Sequence, residues 1–564
     1  MPVSTRFTQC LNISVGAQKY LETGAKELKT SSFAARLWAK DAALWKSEPE
    51  HRAIIANSLG WLSVPRLMLD RADELARFAD EARREFTQVM VLGMGGSSLA
   101  PEVFSKLFPS RPGYPKLSVL DSTDPGWVAR MAAEIDVKKT LFIFSSKSGG
   151  TVEPNSFFKY FYEQAERACE SPAKNFVAVT DPGTSLEKFA SGLNFRKIFL
   201  NPSDIGGRFS ALSLFGLVPA AVSGVDVKTV LSRAVEMGEA CRAETDLTYQ
   251  NPGVWLGAVM GAAAKAGKDK LTLLCAPEMQ SFGLWVEQLV AESTGKEGLG
   301  IVPIAGEEHS ANYGPDRIFV HIKTPFLADK SAAALASRLS AQGRPVITVE
   351  MPEASDLGAQ YFLWETATAA AGALLRINPF DQPNVQEAKA LAQSALKELA
   401  NNKEAPFAAE MSITPSRAAC ETLCGANIPP DELVKFFISL IKPGDYAGIL
   451  AYLDGSPEAD AALARLRGVI GKKSGAATLF GYGPRYLHST GQLHKGGANN
   501  GVFLIFTAAP KKDIPVPTAS YTFAQLEYAQ AEGDFKALDE KGRRALRVHL
   551  GAQPVKVLSE IARQ

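Results

Sequence analysis

Histidine and cysteine are both scarce in this chain, with 6 of each in 564 residues. The cysteines (Cys10, Cys169, Cys241, Cys275, Cys420, Cys424) are scattered, and only Cys420 and Cys424 fall at helical i, i+4 spacing. No histidine stands near that pair, so no metal set is expected, and reduced thiols of a cytoplasmic protein are the plain reading. Charge of one sign is lacking too: 61 Lys and Arg against 60 Asp and Glu leave a net charge of +1. Without a basic field, neither nucleic acid nor a membrane surface is an expected partner, and an anionic ligand must be held by local donors. No apolar run is long and uninterrupted enough to span a bilayer. The start, "MPVSTRFTQCLNISVGAQKY", has no basic region leading into an apolar core, so no signal peptide is expected. What is present is globular: 46% apolar and 21% charged residues, over a length that predicts two to four subdomains.

Residues 1–75 read as helices, because "GAQKYLETGAKELK" and "SSFAARLWAKDAALWK" place apolar residues three and four apart. Short apolar β-rich runs then alternate with helical stretches: "QVMVLGMG", "KLSVLD", "TLFIFSS", "FVAVTD" and "KIFLN". "KLTLLCAP", "GIVPIAG", "RIFVHIK" and "PVITVEM" form a second set, closed by the helical "YFLWETATAAAGALLRI". The alternation predicts two three-layer α/β subdomains with parallel sheets, at 76–245 and 246–400. A linker is expected over 395–416, followed by a smaller α/β unit (401–564) with strands at "YAGILAYL", "AATLFGYG" and "GVFLIFTA". This unit loosely repeats the second: "EEHSANYGPDRIFVHI" echoes "YLHSTGQLHKGGANNGVFLIF", and "YFLWETATAAAGALLRI" echoes "YTFAQLEYAQAEGDFKAL". Duplication and chance similarity both stay open at this point.

Two strand-to-helix turns are loaded with glycine and hydroxyls. "VLGMGGSSLAPEVF" puts Gly95, Gly96, Ser97 and Ser98 after one strand, and "SSKSGGTVEP" puts Ser146, Ser148 and Thr151 after another. Such turns aim backbone N–H groups at the positive end of a helix, where hydroxyls and amides together surround a phosphate. The dinucleotide pattern fails for lack of its third glycine, although Asp121 lies at about the right distance. The Walker pattern fails because Lys147 precedes the glycines.

These stretches resemble the phosphoglucose isomerase family, built from paired sugar-isomerase (SIS-like) α/β/α sandwiches. Five motifs occur in family order: "GMGGSSLAP" (93–101), "SSKSGGTVEP" (145–154), "GGRFSALSLFGL" (206–217), "AESTGKEGLG" (291–300) and "NPFDQPNVQEAKAL" (378–391). The whole chain looks like the branch sometimes fused to transaldolase, with no transaldolase portion evident. The resemblance implies interconversion of glucose 6-phosphate and fructose 6-phosphate without cofactor. It also implies a homodimer, with one histidine crossing from the other subunit.

By the same resemblance Glu292 is the base that carries a proton between C2 and C1 through an enediolate, its pKa raised in a dry site. Arg208, with Gly207 before it to let the backbone approach the ligand, steadies the enediolate charge. His309 and Lys389 open the sugar ring. Gly96, Ser97, Ser146, Lys147, Ser148 and Thr151 hold the phosphate, and Gln288 and Gln382 line the sugar. Gln382 and Lys389 are seven apart, two helical turns, so both can face one pocket. Neutral phosphate donors suit the scheme, since a cation near Glu292 would work against the raised pKa.

The match has departures. Thr294 and Asn384 stand where the family carries asparagine and glycine. His309 follows Glu308 rather than glutamine or leucine, and "ANYGPD" lacks a glutamine. His488 in "LHSTGQLHKGG" resembles the family's histidine segment more closely but lies beyond Lys389, so chain order favours His309. His488 then reads as a relic of a repeat or part of a second ligand site. His51, His321 and His549 read as structural, and His494 with Lys495, Gly496 and Gly497 reads as a solvent loop, with an anion-binding turn as the alternative. Two other functions compete: a sugar-phosphate sensor that has lost catalysis, and an isomerase acting on mannose 6-phosphate as well.

Overall fold

A computed structural model describes residues 6–243, 250–310, 312–401 and 410–564. A short strand, β1 (Leu11–Ile13), precedes the N-terminal helices, which corrects the all-helical reading of that segment. Three residues carry no readable period; the strand exists because Leu11 pairs with Val349 across the chain.

The first sheet holds β2 (Gln88–Leu92), β3 (Lys116–Leu120), β4 (Thr140–Ser145), β5 (Phe176–Thr180) and β6 (Lys197–Leu200), all parallel, in the order β3-β2-β4-β5-β6. β4 is buried at every residue, as a strand covered by helices on both faces must be. The second sheet adds β7 (Lys270–Leu274), β8 (Val302–Ile304), β9 (Arg317–Lys323) and β10 (Val346–Glu350) in the order β1-β10-β9-β7-β8, with only β1 antiparallel. The third comprises β11 (Ser412–Pro415), β12 (Tyr446–Tyr452), β13 (Ala477–Tyr482), β14 (Gly501–Thr507) and β15 (Arg544–His549), ordered β11-β15-β14-β12-β13 with only β11 antiparallel.

The second and third orders are the same, strand for strand, including the antiparallel edge. The helix echo is not: Phe523–Glu540 lies between β14 and β15, whereas Leu357–Leu375 follows β10. The topological counterpart of Phe523–Glu540 is Lys330–Ala341, so the likeness between the two quoted segments is compositional. The expected linker also dissolves. Helix Pro383–Asn401 covers its beginning and β11 its end, while 402–409 lie outside the described residues.

In each sheet the first crossover strand (β2, β7, β12) has its two successors on opposite sides, which leaves a crevice beyond the strands' carboxyl ends. Around these sheets the helices are buried where their sequence is apolar all round. Leu357–Leu375 is enclosed almost completely and packs on Pro252–Lys265 and Val227–Ala240.

Helix Gln280–Thr294 buries Glu287, whose Oε1 accepts the backbone N–H of Ala305 at 2.8 Å. Burial pushes its carboxyl up to about 8. The fold therefore keeps Glu287 protonated where the unfolded chain has released the proton, and stability falls as pH rises from 4.5 to about 8. Glu287→Gln keeps the acceptor and abolishes this loss. Its gain over the parent should grow across that pH range to on the order of 4 kcal/mol, read from denaturant unfolding at pH 5 and pH 9. A gain independent of pH would show that Glu287 does not carry a proton in the fold.

Candidate active site

The crevice beyond β2 and β4 opens into a cavity of about 910 Å³. Its walls include Gly96, Ser97, Ser146, Lys147, Ser148, Thr151, Gly207, Arg208, Gln288, Glu292, Gln382, Lys389 and His488. Every site residue expected from the sequence is among them except His309.

The first turn is held by close packing. A Cβ on Gly96 would lie 1.9 Å from the carbonyl oxygen of Gly207, so only glycine lets this turn rest on the arginine loop. In the second, Gly149 takes φ +73° and its N–H donates to Ser146 Oγ at 3.1 Å. Thr151 is the N-cap of helix Val152–Ala168 yet makes no side-chain capping bond, so the helix's first amides face the cavity without an internal acceptor from that residue. Lys147 is spent on the chain itself: its Nζ donates to the carbonyl of Ser203 at 3.1 Å and lies 3.5 Å from Asp181.

Arg208 is 3% exposed and fixed from several sides. Nε donates to Ser293 Oγ at 2.8 Å, and Nη2 donates to the carbonyls of Pro379 at 2.7 Å and Asp381 at 2.9 Å. Nη1 donates to Gln382 Oε1 at 3.0 Å and stands 3.2 Å from Glu292 Oε1. A cation thus touches the carboxylate, as a guanidinium placed to steady the enediolate must. Lys296 sits behind, its Nζ 2.7 Å from Asp381 Oδ1, and burial with the nearby Arg208 charge pushes it down to about 8. Glu292 lies one helical turn from Gln288, whose Nε2 donates to Glu292 Oε2 at 3.3 Å and to the His488 carbonyl at 2.7 Å. Gln382 stands just before helix Pro383–Asn401 and Lys389 two turns inside it; both reach the cavity.

Within one chain the two candidate histidines are separated. His309, on the loop after β8, is exposed, with Nδ1 3.0 Å from Ser331 Oγ, and lines a different cavity of about 530 Å³. His488, on the loop after β13, takes the place beside Glu292. The third unit folds back over the first two and so brings a histidine from beyond Lys389 to this cavity. His488 Nε2 lies 2.8 Å from Glu153 Oε1, which also accepts Gln530 Nε2 at 2.7 Å. Burial pushes the Glu153 carboxyl up, but the His488 charge and hydrogen bond outweigh it and hold the group below the ordinary glutamate range. Glu153 was in plain view within "SSKSGGTVEP", but nothing local announces a partner 335 residues away. The other structural readings fare unevenly. His321 pairs with Asp329 at 3.0 Å and His51 lies 3.4 Å from Asp381, whereas His494 and Lys495 are buried in helix Gly491–Gly496 rather than in a solvent loop.

Parallel sheets of this order, with hydroxyl-rich turns at the switch point, belong to the sugar-isomerase class of α/β proteins. The fold matches a hypothetical protein of Thermus thermophilus with a TM-score of 0.59 at 24% identity, over 68% of this chain and 99% of that one. It matches a glucose-6-phosphate isomerase of Chlamydia trachomatis with a TM-score of 0.52 at 21% identity, over 69% of this chain and 86% of that one. The family model for phosphoglucose isomerase matches residues 74–310. A glucose-6-phosphate isomerase of Thermosynechococcus vestitus is 28% identical over 465 residues, 75% of this chain and 85% of that protein. A probable glucose-6-phosphate isomerase of Methanococcus maripaludis is 28% identical over 375 residues, 60% and 84%. The chain belongs to the phosphoglucose isomerase family, and it is an isomerase.

Proposed function

We propose that the chain interconverts glucose 6-phosphate and fructose 6-phosphate through an enediolate, with Glu292 as the proton shuttle. The observation that carries this reading is the shared cavity: a carboxylate held on a helix, a buried guanidinium 3.2 Å away, and two hydroxyl-bearing turns in the same lining. The phosphate is held by Ser97, Ser146, Ser148 and Thr151 with the amides of the second turn, and its binding orients the distant C1–C2 end. His488 with Lys389 moves the proton between O1 and O5 as the ring opens. Glu292 then takes the proton from C2 of the aldose and the electron pair flows into the carbonyl at C1. Arg208 lies beside the negative oxygen so formed; the O2 proton passes to O1, and as the C2 carbonyl closes Glu292 returns its proton to C1 to give the ketose.

The test is a coupled assay that oxidises glucose 6-phosphate as it forms from fructose 6-phosphate. Ser148→Ala and Thr151→Val should each raise KM roughly ten-fold, since a hydroxyl bond to a dianion contributes about 1.5 kcal/mol. The kcat of each variant should stay close to that of the parent enzyme. Loss of kcat at unchanged KM would move the phosphate off these turns.

A further inference from the structure

His488 does not hold its place alone. Thr123 Oγ1 donates to Gln530 Oε1 at 2.8 Å, Gln530 Nε2 donates to Glu153 Oε1 at 2.7 Å, and that same oxygen meets His488 Nε2 at 2.8 Å. Thr123 and Glu153 follow β3 and β4 of the first sheet; Gln530 and His488 belong to the third. Thr123 is 0% exposed, Gln530 4% and Glu153 4%, so the relay runs through protein that excludes water. A primary amide has fixed donor and acceptor ends. With its oxygen occupied by Thr123, Gln530 presents its N–H to Glu153 and fixes which carboxylate oxygen receives the imidazole.

The third sheet has the strand order of the second, and the loops after β8 and β13 occupy equivalent positions in the two. Their histidines are nonetheless used differently: the loop after β13 delivers His488 to the cavity of Glu292, and the loop after β8 leaves His309 lining a separate cavity.

We propose that the third unit is a repeat of the second that supplies the ring-opening histidine from within the same chain, and that Gln530 is the positioning residue that aims it. The proposal rests on the enediolate reading above. It accounts for the large C-terminal unit without assigning it a reaction of its own, and it makes a second copy of the chain unnecessary for turnover.

Gln530→Met keeps the length and burial of the side chain and breaks both bonds; Thr123→Val breaks only the outer one. Two reactions separate ring opening from proton transfer. Hexose isomerisation needs both. Hydrogen exchange at C2 of an aldotetrose 4-phosphate in D2O, followed by NMR, needs only the carboxylate, because O4 is esterified and no ring can close. Gln530→Met should lower hexose kcat about ten-fold with KM within two-fold, Thr123→Val should lower it about three-fold, and neither should alter tetrose exchange. The full chain should also keep its specific activity on dilution to nanomolar concentrations at which light scattering or mass photometry finds single chains. Equal loss of both reactions in both variants would mean a general structural defect and overturn the positioning role. Activity that vanishes as the chains separate would overturn completion within one chain. If the parent exchanges no tetrose hydrogen, or if Glu292→Gln does not stop that exchange, the enediolate reading itself falls and this proposal with it.

Discussion

Glu292→Gln should lower kcat by about 10⁴-fold or more while leaving KM for fructose 6-phosphate within a few-fold. The size follows from what the amide cannot do. Moving hydrogen between adjacent carbons requires a group that accepts a proton in one step and gives it back in the next. Asp181, the other carboxylate on the cavity wall, stands beside Lys147 at the phosphate turns and not beside Arg208. The near-constant KM follows from geometry. Gln288 and Arg208 hold their positions through bonds to other groups, Arg208 to Ser293, Gln382 and two carbonyls, so loss of the carboxylate charge does not release them. The hydroxyls of the phosphate turns make no bond to Glu292, so the substitution leaves them in place. A sensor that had kept the pocket and lost the chemistry would show no turnover to lose. Binding measured by calorimetry with unchanged affinity, beside a collapsed rate, identifies a proton shuttle. A variant retaining a tenth of the parent rate would sink the assignment.

Much of this cavity is legible in the sequence, and the reason is local. Glycines and hydroxyls concentrated between a strand and a helix are a sequence-contiguous feature, so the turns at Gly95–Ser98 and Ser145–Thr151 announce themselves in single short windows. Strands buried on both faces, such as β4 and β14, are equally plain as unbroken apolar runs. What failed were properties that exist only after the chain has folded. β1 and β11 are edge strands of three and four residues whose extended form comes from pairing with β10 and β15. The direct contact of Arg208 with Glu292 joins two motifs far apart in the chain, and neither motif alone shows the distance. Gln530 lies in "YTFAQLEYAQAEGDFKAL", an ordinary amphipathic helix, and no pattern there marks one glutamine as the partner of a glutamate on another sheet.

The choice between the two histidines shows the same division with a larger consequence. Order along the chain pointed to His309; the folded molecule brings His488 to Glu292, and the two candidates lead to opposite results. His488→Gln should lower hexose turnover about 100- to 1,000-fold, within the range for losing a positioned acid–base group. Glutamine is chosen because its amide can still donate to Glu153, which otherwise would be a buried carboxylate left with Gln530 alone, at a cost of about 1–3 kcal/mol. His309→Gln should change the rate less than two-fold, since an exposed side chain bonded to Ser331 has no route to the substrate within the chain. Supplying the aldotetrose 4-phosphate sharpens the contrast: His488→Gln should exchange its C2 hydrogen as fast as the parent, because no ring has to open. A large loss from His309→Gln with none from His488→Gln would restore the order-based assignment, and would require the histidine to arrive from another copy of the chain.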